Sequence, residues 1–288
     1  MATLREIRRR IASVKSTQQI THAMKMVAAA KLRGAQERIM AARPYARKID
    51  EIIHHLILAL GDEVELPLLQ SRFVERVTLV VVTADRGLCG AFNANIIKQA
   101  LHQIDFHKNK EVSLVCVGKK GYEFFGKRDY KVIQYFEQVF NRLEFPVAQE
   151  ITQFLVNHYL NNETDQIEVI YNEFKNAVQQ NVIVETYLPL STGKFEGEFS
   201  GIDYIYEPDR LELLNALLPR HLNIQTWRIL LESNAAEQGA RMTAMENATD
   251  NAEEMIHDLT LFYNRARQAA ITKEISEIVG GAEALKSA

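Results

Sequence analysis

The sequence predicts an α/β protein with a long helix at each end and a mostly parallel, Rossmann-like sheet domain between them. Three observations support this fold class: apolar residues at helical spacing near the N-terminus, strand–helix alternation in the middle, and a second helical pattern toward the C-terminus. We therefore divide the chain into an N-terminal coiled-coil helix (1–60), an α/β domain (61–208, with an exposed loop at 191–206) and a C-terminal coiled-coil helix (209–288).

The N-terminal segment has the spacing of one helical face. Its stepped positions are Leu4, Ile7, Ile11, Val14, Gln18 and Thr21. The alanine-rich stretch that follows favours helix and allows a second helix to approach closely. Pro44 removes a backbone donor, so we expect it to kink or interrupt this element.

The middle of the chain alternates between strands and helices. The β-rich runs are VERVTLVVVTAD, VSLVCVG, KVIQYF, QIEVIYNEF and VIVETYLPL, and the helical stretches lie near 93–105, 119–128 and 146–161. Alternation of this kind predicts a mostly parallel sheet with helices on its faces.

The C-terminal segment carries a sustained heptad pattern, typical of a coiled coil. The stepped positions are Met245, Ala248, Ala252, Met255, Leu259, Phe262, Ala266 and Ala269, and the pattern resumes from Ile271 onward. A helix over 209–286 would be roughly 115 Å long and one over 3–58 roughly 80 Å. A domain of about 115 residues has a radius of gyration of only roughly 13–14 Å, so the two helices are expected to pair with each other.

Charge is unevenly distributed along the chain. The 288 residues carry a formal net charge of −3, yet residues 1–60 hold twelve Lys and Arg against four Asp and Glu, a balance of +8. A basic segment of this kind predicts an acidic partner surface. The two cysteines, Cys89 and Cys116, indicate a reducing compartment. No run of 18 apolar residues is present, which argues against a transmembrane helix.

The stretch TADRGLCGAFN (83–93) follows a strand and precedes a helix, as a phosphate-binding loop would. It lacks both the GxxxxGK[ST] and the GxGxxG spacing, and no lysine is placed to reach a phosphate. We interpret Gly87 and Gly90 as residues that permit a tight turn. The alternative is an α/β nucleotide-binding enzyme with helical arms.

Other catalytic and binding patterns are weak. The sequence has no HExxH, CxxC or GxSxG motif and no evident acid–base pair. The basic N-terminal helix could contact nucleic acid, but it has no aromatic residue before Tyr45 on which bases could stack. A third hypothesis is a coiled-coil scaffold, or a nucleic-acid binder that uses this basic helix.

Several stretches resemble the γ-subunit family of the F-type ATP synthase, the central shaft of a rotary motor. These stretches are IRRRIASVKSTQQITHAMKMVAAAKLRGAQ, TADRGLCGAFN, EQGARMTAMENATDN and ARQAAITKEISEIVGGAEAL, in the order in which the family has them. The resemblance covers essentially the whole chain. The cysteine-bearing insertion of chloroplast relatives has no counterpart here and no transit peptide is evident, so we expect a bacterial member of the family.

The resemblance implies a fold, a role and a set of partners. The terminal helices would form an antiparallel coiled coil inside a hexamer of α and β subunits, with the α/β domain at its foot. The foot would bind the ε subunit and the membrane c ring, and δ is a further possible partner. One copy would be present per complex, on the cytoplasmic face of the bacterial membrane, attached only through the c ring and without nucleic acid. No cofactor is expected in this chain, because α and β would bind the Mg-ATP and Mg-ADP.

The resemblance also assigns contact residues. Arg241 and Gln268 would hydrogen-bond an acidic loop of β. The other implied β-contact residues are Arg8, Arg9, Met24, Lys25, Thr272, Glu274 and Glu277, and those facing the c ring are Tyr204, Tyr206 and Glu207. For Met24, ordinary coiled-coil packing is an equally good reading.

Overall fold

The computed structural model describes residues 3–60, 66–70, 72–141, 143–176, 180–190, 207 and 209–286. The helices are α1 (Leu4–Leu60), α2 (Phe92–Phe106), α3 (Lys119–Phe125), α4 (Phe145–Leu160) and α5 (Arg210–Lys286), and the strands are β1 (Arg76–Val82), β2 (Glu111–Val117), β3 (Val132–Phe136), β4 (Gln166–Phe174) and β5 (Gln180–Leu188).

The chain forms two compact units, and both boundaries lie inside the long helices. Residues 1–27 and 242–288 belong to the first unit, here named the coil unit, and residues 28–241 belong to the second, the sheet unit. The three-part division predicted from the sequence follows element type instead, and it stays a prediction.

The sheet unit contains five strands in the order β3-β2-β1-β4-β5. All neighbours are parallel except β4 and β5, which pair antiparallel. The predicted mostly parallel sheet is thus confirmed, with one antiparallel edge strand. The predicted helices near 93–105, 119–128 and 146–161 correspond to α2, α3 and α4, although α3 ends earlier, at Phe125.

Alternate residues of the central strands pack on opposite faces of the sheet, as the period of a strand requires. One face packs against α2 and against Ala236 and Ala240 of α5. On the other face, Val80 and Val169 share one small apolar gap with residues of α4 and with Ile229 of α5. The part of α5 in this unit therefore contributes to the core on both sides of the sheet.

Helix α1 continues through Pro44 without a break, so the predicted interruption is wrong. Proline removes one backbone donor and clashes with the carbonyl four residues earlier, yet its ring can face solvent. Pro44 is exposed, while Ile39, Ala46 and Ile49 on either side of it are at most 8% exposed. Burial of these neighbours holds the helix together where the single hydrogen bond is lost. Helix α5 likewise contains Pro219 in its interior.

In the coil unit, the segments of α1 and α5 run antiparallel. Arg8 Nη2 donates to Tyr263 Oη (3.0 Å), Thr249 Oγ1 donates to Thr21 Oγ1 (2.8 Å), and Lys25 contacts Glu246, so rising numbers on one helix meet falling numbers on the other. All six predicted seam positions of α1, from Leu4 to Thr21, are buried or half-buried.

The seam of α5 differs from the prediction at three positions, Met255, Phe262 and Ala269, whereas Ala248 is half-buried as predicted. The buried or half-buried series is Met245, Thr249, Ala252, Ile256, Leu259, Tyr263, Ala266 and Ala270. Met255 and Phe262, which were predicted to face inward, are 51% and 54% exposed. Ile256 and Tyr263, which follow them in the sequence, are half-buried instead. The hydroxyl groups of Tyr263 and of the half-buried Thr249 have partners on α1. Apolar spacing alone could not identify them.

Candidate interaction surfaces

The loop at 83–93 places a carboxylate of its own, that of Asp85, where a phosphate-binding loop would have an open anion site. Asp85 accepts hydrogen bonds from the backbone N–H groups of Lys119 (3.1 Å), Gln138 (3.2 Å) and Phe140 (3.1 Å). These donors follow β2 and β3, so one side chain ties together the ends of three neighbouring strands. Backbone donors in such a place could bind a phosphate. Because Asp85 already supplies a negative charge to them, the geometry favours the predicted structural turn over a phosphate loop.

Helix α5 lies across the end of β1. In open α/β sheets, ligands bind beyond the carboxyl ends of the strands where the strand order reverses, which here is between β1 and β4. Ala236 and Ala240 of α5 belong to the same buried cluster as Ala84 and Cys89, which follow β1. Arg241 Nη1 donates to the carbonyl oxygen of Gly87 at 2.5 Å. Space that a ligand would use in a nucleotide-binding domain is therefore occupied by this chain's own helix.

Arg241 forms a buried ion pair with a residue one helical turn earlier on α5. Its Nη2 donates to Glu237 Oε1, and the two side chains are 11% and 7% exposed. Burial raises the pKa of Glu237 above its ordinary value, although the guanidinium of Arg241 partly opposes that shift. Glu237 was not among the residues predicted from the sequence, although its spacing of four residues from Arg241 is typical of an ion pair on one helix face.

Of the predicted contact residues in the coil unit, Met24 and Lys25 are half-buried, while Arg8 and Arg9 are exposed. Arg8 also lies over the ring of Tyr263, 5.7 Å from its centroid. The structure thus brings part of the basic helix against polar residues of α5 and leaves Arg9 in solvent.

From residue 271 to residue 282, α5 is exposed on every side. Every residue from 271 to 282 is classed as exposed, including Ile275 at 55% and Ile278 at 70%, so no described residue covers the resumed apolar pattern. The predicted contact residues on this helix are also exposed, namely Gln268, Thr272, Glu274 and Glu277. Glu207 is exposed, whereas Tyr204 and Tyr206 lie outside the described residues.

Two general findings apply to the residues that the structure describes. None of their helices is both long and apolar enough to cross a membrane. They also contain no group of three or more His, Cys, Asp or Glu residues arranged to hold a metal ion.

The pair formed by Lys25 and Glu246 is expected to contribute little to stability. Lys25 Nζ lies 2.7 Å from Glu246 Oε1, but the side chains are 32% and 44% exposed. Solvent screening limits such pairs to about 0.2–1 kcal/mol. We expect a double-mutant cycle of Lys25→Ala and Glu246→Ala, followed by urea unfolding of the full chain, to give a coupling energy below about 1 kcal/mol. A coupling several times larger would contradict this reading.

Comparison with known proteins decides the family. A family model described as ATP synthase matches residues 3–285. The ATP synthase gamma chain of Chlorobium phaeobacteroides strain DSM 266 is 53% identical over 99% of this chain and 100% of the relative. That of Chloroherpeton thalassium is 52% identical over 99% of both chains. The chain belongs to the ATP synthase gamma-chain family.

Solved structures agree with this membership of the gamma-chain family. A chain of the Euglena gracilis mitochondrial ATP synthase matches with a TM-score of 0.68 at 21% identity, covers 98% of this chain and 94% of its own length, and supports the fold. A chain of the Tetrahymena thermophila mitochondrial ATP synthase, from its central stalk and c ring, matches with a TM-score of 0.64 at 26% identity, over 80% of this chain and 99% of its own length. The predicted family, fold class and role as a gamma-chain rotor shaft are confirmed.

Proposed function

We propose that this gamma chain couples ion-driven rotation of a membrane c ring to conformational change at catalytic sites on β subunits, in ATP synthesis and in reversible hydrolysis. Its partners would be the α, β and ε subunits and the c ring, with δ as a further candidate. The chain would be present in one copy, on the cytoplasmic face of the bacterial membrane, with its attachment to the membrane made through the c ring. It would supply no catalytic residue and bind no cofactor, because the nucleotides belong to α and β.

The observation that carries this proposal is the segregation of charge in the coil unit. Residues 3–27 of α1 carry six Lys and Arg against one Glu, whereas residues 242–270 of α5, the stretch that runs beside them, carry five Asp and Glu against two Arg. Asp250, Glu253 and Asp258 are exposed, as are Arg9 and Arg10 on the other helix. A coil with one basic and one acidic helix presents different charges in different directions.

Such a coil can drive an ordered cycle at three equivalent sites. When it stands at the centre of a three-fold ring, each site faces a different side of it. A contact shifts a conformational equilibrium only by its difference in free energy between the two conformations. Because the two helices carry charge of opposite sign, each site would meet a different charge, and this supplies the difference in free energy. Turning the coil would then give each site the conformation that its neighbour had before.

Exposed apolar residues near the C-terminus fit the same role. Ile275, Ile278 and Val279 are each more than half exposed, at 55%, 70% and 62%. Exposed apolar patches often mark sites of protein interaction. We propose that the surrounding α and β subunits cover this end of α5, near Gln268 and Thr272, which the family resemblance implies as β-contact residues.

The test is assembly and rotation. The full chain, co-expressed with α and β subunits, is expected to purify as a complex with three copies of each and one copy of this chain. A particle attached to its α/β domain is expected to rotate in one direction when ATP is added. A chain that fails to assemble would contradict the proposal.

The nucleotide-enzyme alternative has its own measurement. Equilibrium dialysis of the isolated full chain with ATP is expected to show no micromolar binding. Micromolar binding that disappears when Gly87 and Gly90 are replaced would favour the alternative. It would contradict the proposal that the nucleotides bind to α and β and not to this chain.

A further inference from the structure

We infer that Glu237 and the carbonyl oxygen of Gly87 are positioning groups that hold the Arg241 guanidinium in one orientation for its contact with a β subunit. The inference rests on the proposed function, in which Arg241 meets an acidic loop of β. The inference adds the Glu237 carboxylate and the Gly87 carbonyl to the groups that support the contact between Arg241 and β. It also gives the loop at 83–93 a role, which is to position Arg241.

The geometry constrains Arg241 from two directions. Glu237 lies one turn earlier on α5 and accepts from Nη2, while Gly87 lies in the loop after β1 and accepts from Nη1 at 2.5 Å. Arginine has five N–H donors in a fixed planar fork. Two acceptors from different elements fix the plane of this fork, so the remaining N–H groups keep one direction.

The loop that carries Gly87 is itself held in place. The backbone N–H of Ala84 donates to Asn93 Oδ1 at 2.9 Å, and Asp85 binds three further backbone N–H groups. Leu88 and Gly90 adopt positive φ angles of 63° and 57°. Non-glycine residues rarely adopt such angles unless the surroundings determine them. The Gly87 carbonyl is therefore a fixed acceptor.

Stability alone is a poor explanation for this buried pair. Removing two charges from water is costly, and apolar replacements of buried ion pairs are often neutral or stabilising. The charges that act on Glu237 are those of Arg241 on its own helix, Asp85 of the loop and Lys31 of α1. A fixed guanidinium loses little rotamer freedom when a carboxylate binds, so its orientation before contact favours binding.

The test uses the reconstituted complex of this chain with α and β subunits and measures ATPase kcat and KM for MgATP. We expect Arg241→Ala and Glu237→Ala each to lower kcat about tenfold with KM unchanged, since neither side chain touches nucleotide. The double variant is expected to match Arg241→Ala alone, because Glu237 acts through Arg241. Glu237→Gln keeps an acceptor oxygen and is expected to recover most of the activity. Glu212→Ala, which removes an exposed carboxylate from the same helix, is the matched control and is expected to leave kcat unchanged.

The outcomes separate this inference from the proposed contact. An unchanged kcat in Arg241→Ala would remove the proposed Arg241–β contact and the inference with it. A reduced kcat in Arg241→Ala, with Glu237→Ala unchanged or with multiplicative effects in the double variant, would overturn the inference alone. Helical content by circular dichroism checks the fold, and Glu237→Gln tests the inference if Glu237→Ala fails to fold.

Discussion

Replacing Gly118 with alanine is expected to destabilise the sheet unit severely. Gly118 has a φ of +90°, and a Cβ atom built there would lie 1.9 Å from the Thr83 carbonyl oxygen and 2.8 Å from its carbonyl carbon. Both are backbone atoms at the end of β1, where the backbone N–H of Thr83 donates to Val117 at 2.8 Å, so neither can move without breaking the β1–β2 pairing. We expect the free energy of unfolding to fall by more than about 4 kcal/mol, a size that only severe defects reach.

Urea unfolding of the full chain, followed by circular dichroism, measures this effect. The matched control is Gly34→Ala in the middle of α1, where a new Cβ has no atom within 4 Å. That control is expected to be neutral or to gain up to about 1 kcal/mol, the helix propensity difference between glycine and alanine. A Gly118→Ala chain with an unchanged midpoint would show that the close approach of β1 and β2 at this point is not required.

Local periodicity was sufficient to predict most of the fold. Strands with continuous apolar runs are typical of a parallel sheet buried on both faces, and β1 and β2 follow that pattern. The six seam positions of α1 could be predicted because few other apolar residues compete for that face. On α5, apolar residues adjoin one another at several turns, so the choice between Met255 and Ile256 depended on α1 and could not be made from α5 alone.

The candidate contact surfaces were less predictable, because they depend on residues distant in sequence. The family resemblance drew attention to Arg241, but not to the loop carbonyl that it binds 154 positions away. From the sequence, Asp85 is one acidic residue in a turn. Only the sheet topology shows that its side chain contacts the ends of β2 and β3. The exposure of Ile275 and Ile278 likewise follows from where α1 begins, which local spacing on α5 does not specify.

Arg228→Met is expected to loosen the attachment of α5 to the sheet. Arg228 donates from Nη2 to Glu185 on β5 (2.9 Å) and from Nη1 to the Tyr171 hydroxyl on β4 (3.0 Å). Burial opposes its charge, but Tyr171 and Glu185 together raise the pKa of Arg228. Glu232, 10% exposed and 3.8 Å from Arg228, would lose the nearest cation. We expect the free energy of unfolding to fall by about 2–4 kcal/mol at pH 7. This is somewhat less than the cost of removing one partner of a fully buried pair, because Arg228 is 27% exposed.

The dependence of this loss on pH identifies its cause. Burial raises the pKa of Glu232 in the folded protein, so the folded state takes up a proton at a higher pH than the unfolded chain does. The free energy of unfolding of Arg228→Met should therefore rise as pH falls from neutral toward the ordinary glutamate value of about 4.3. Adding Glu232→Gln should recover part of the loss at pH 7 and flatten this dependence. Urea midpoints at several pH values measure both effects. An equal loss for Arg228→Met at every pH would assign it to lost packing of the arginine stem instead of to the uncompensated carboxylate.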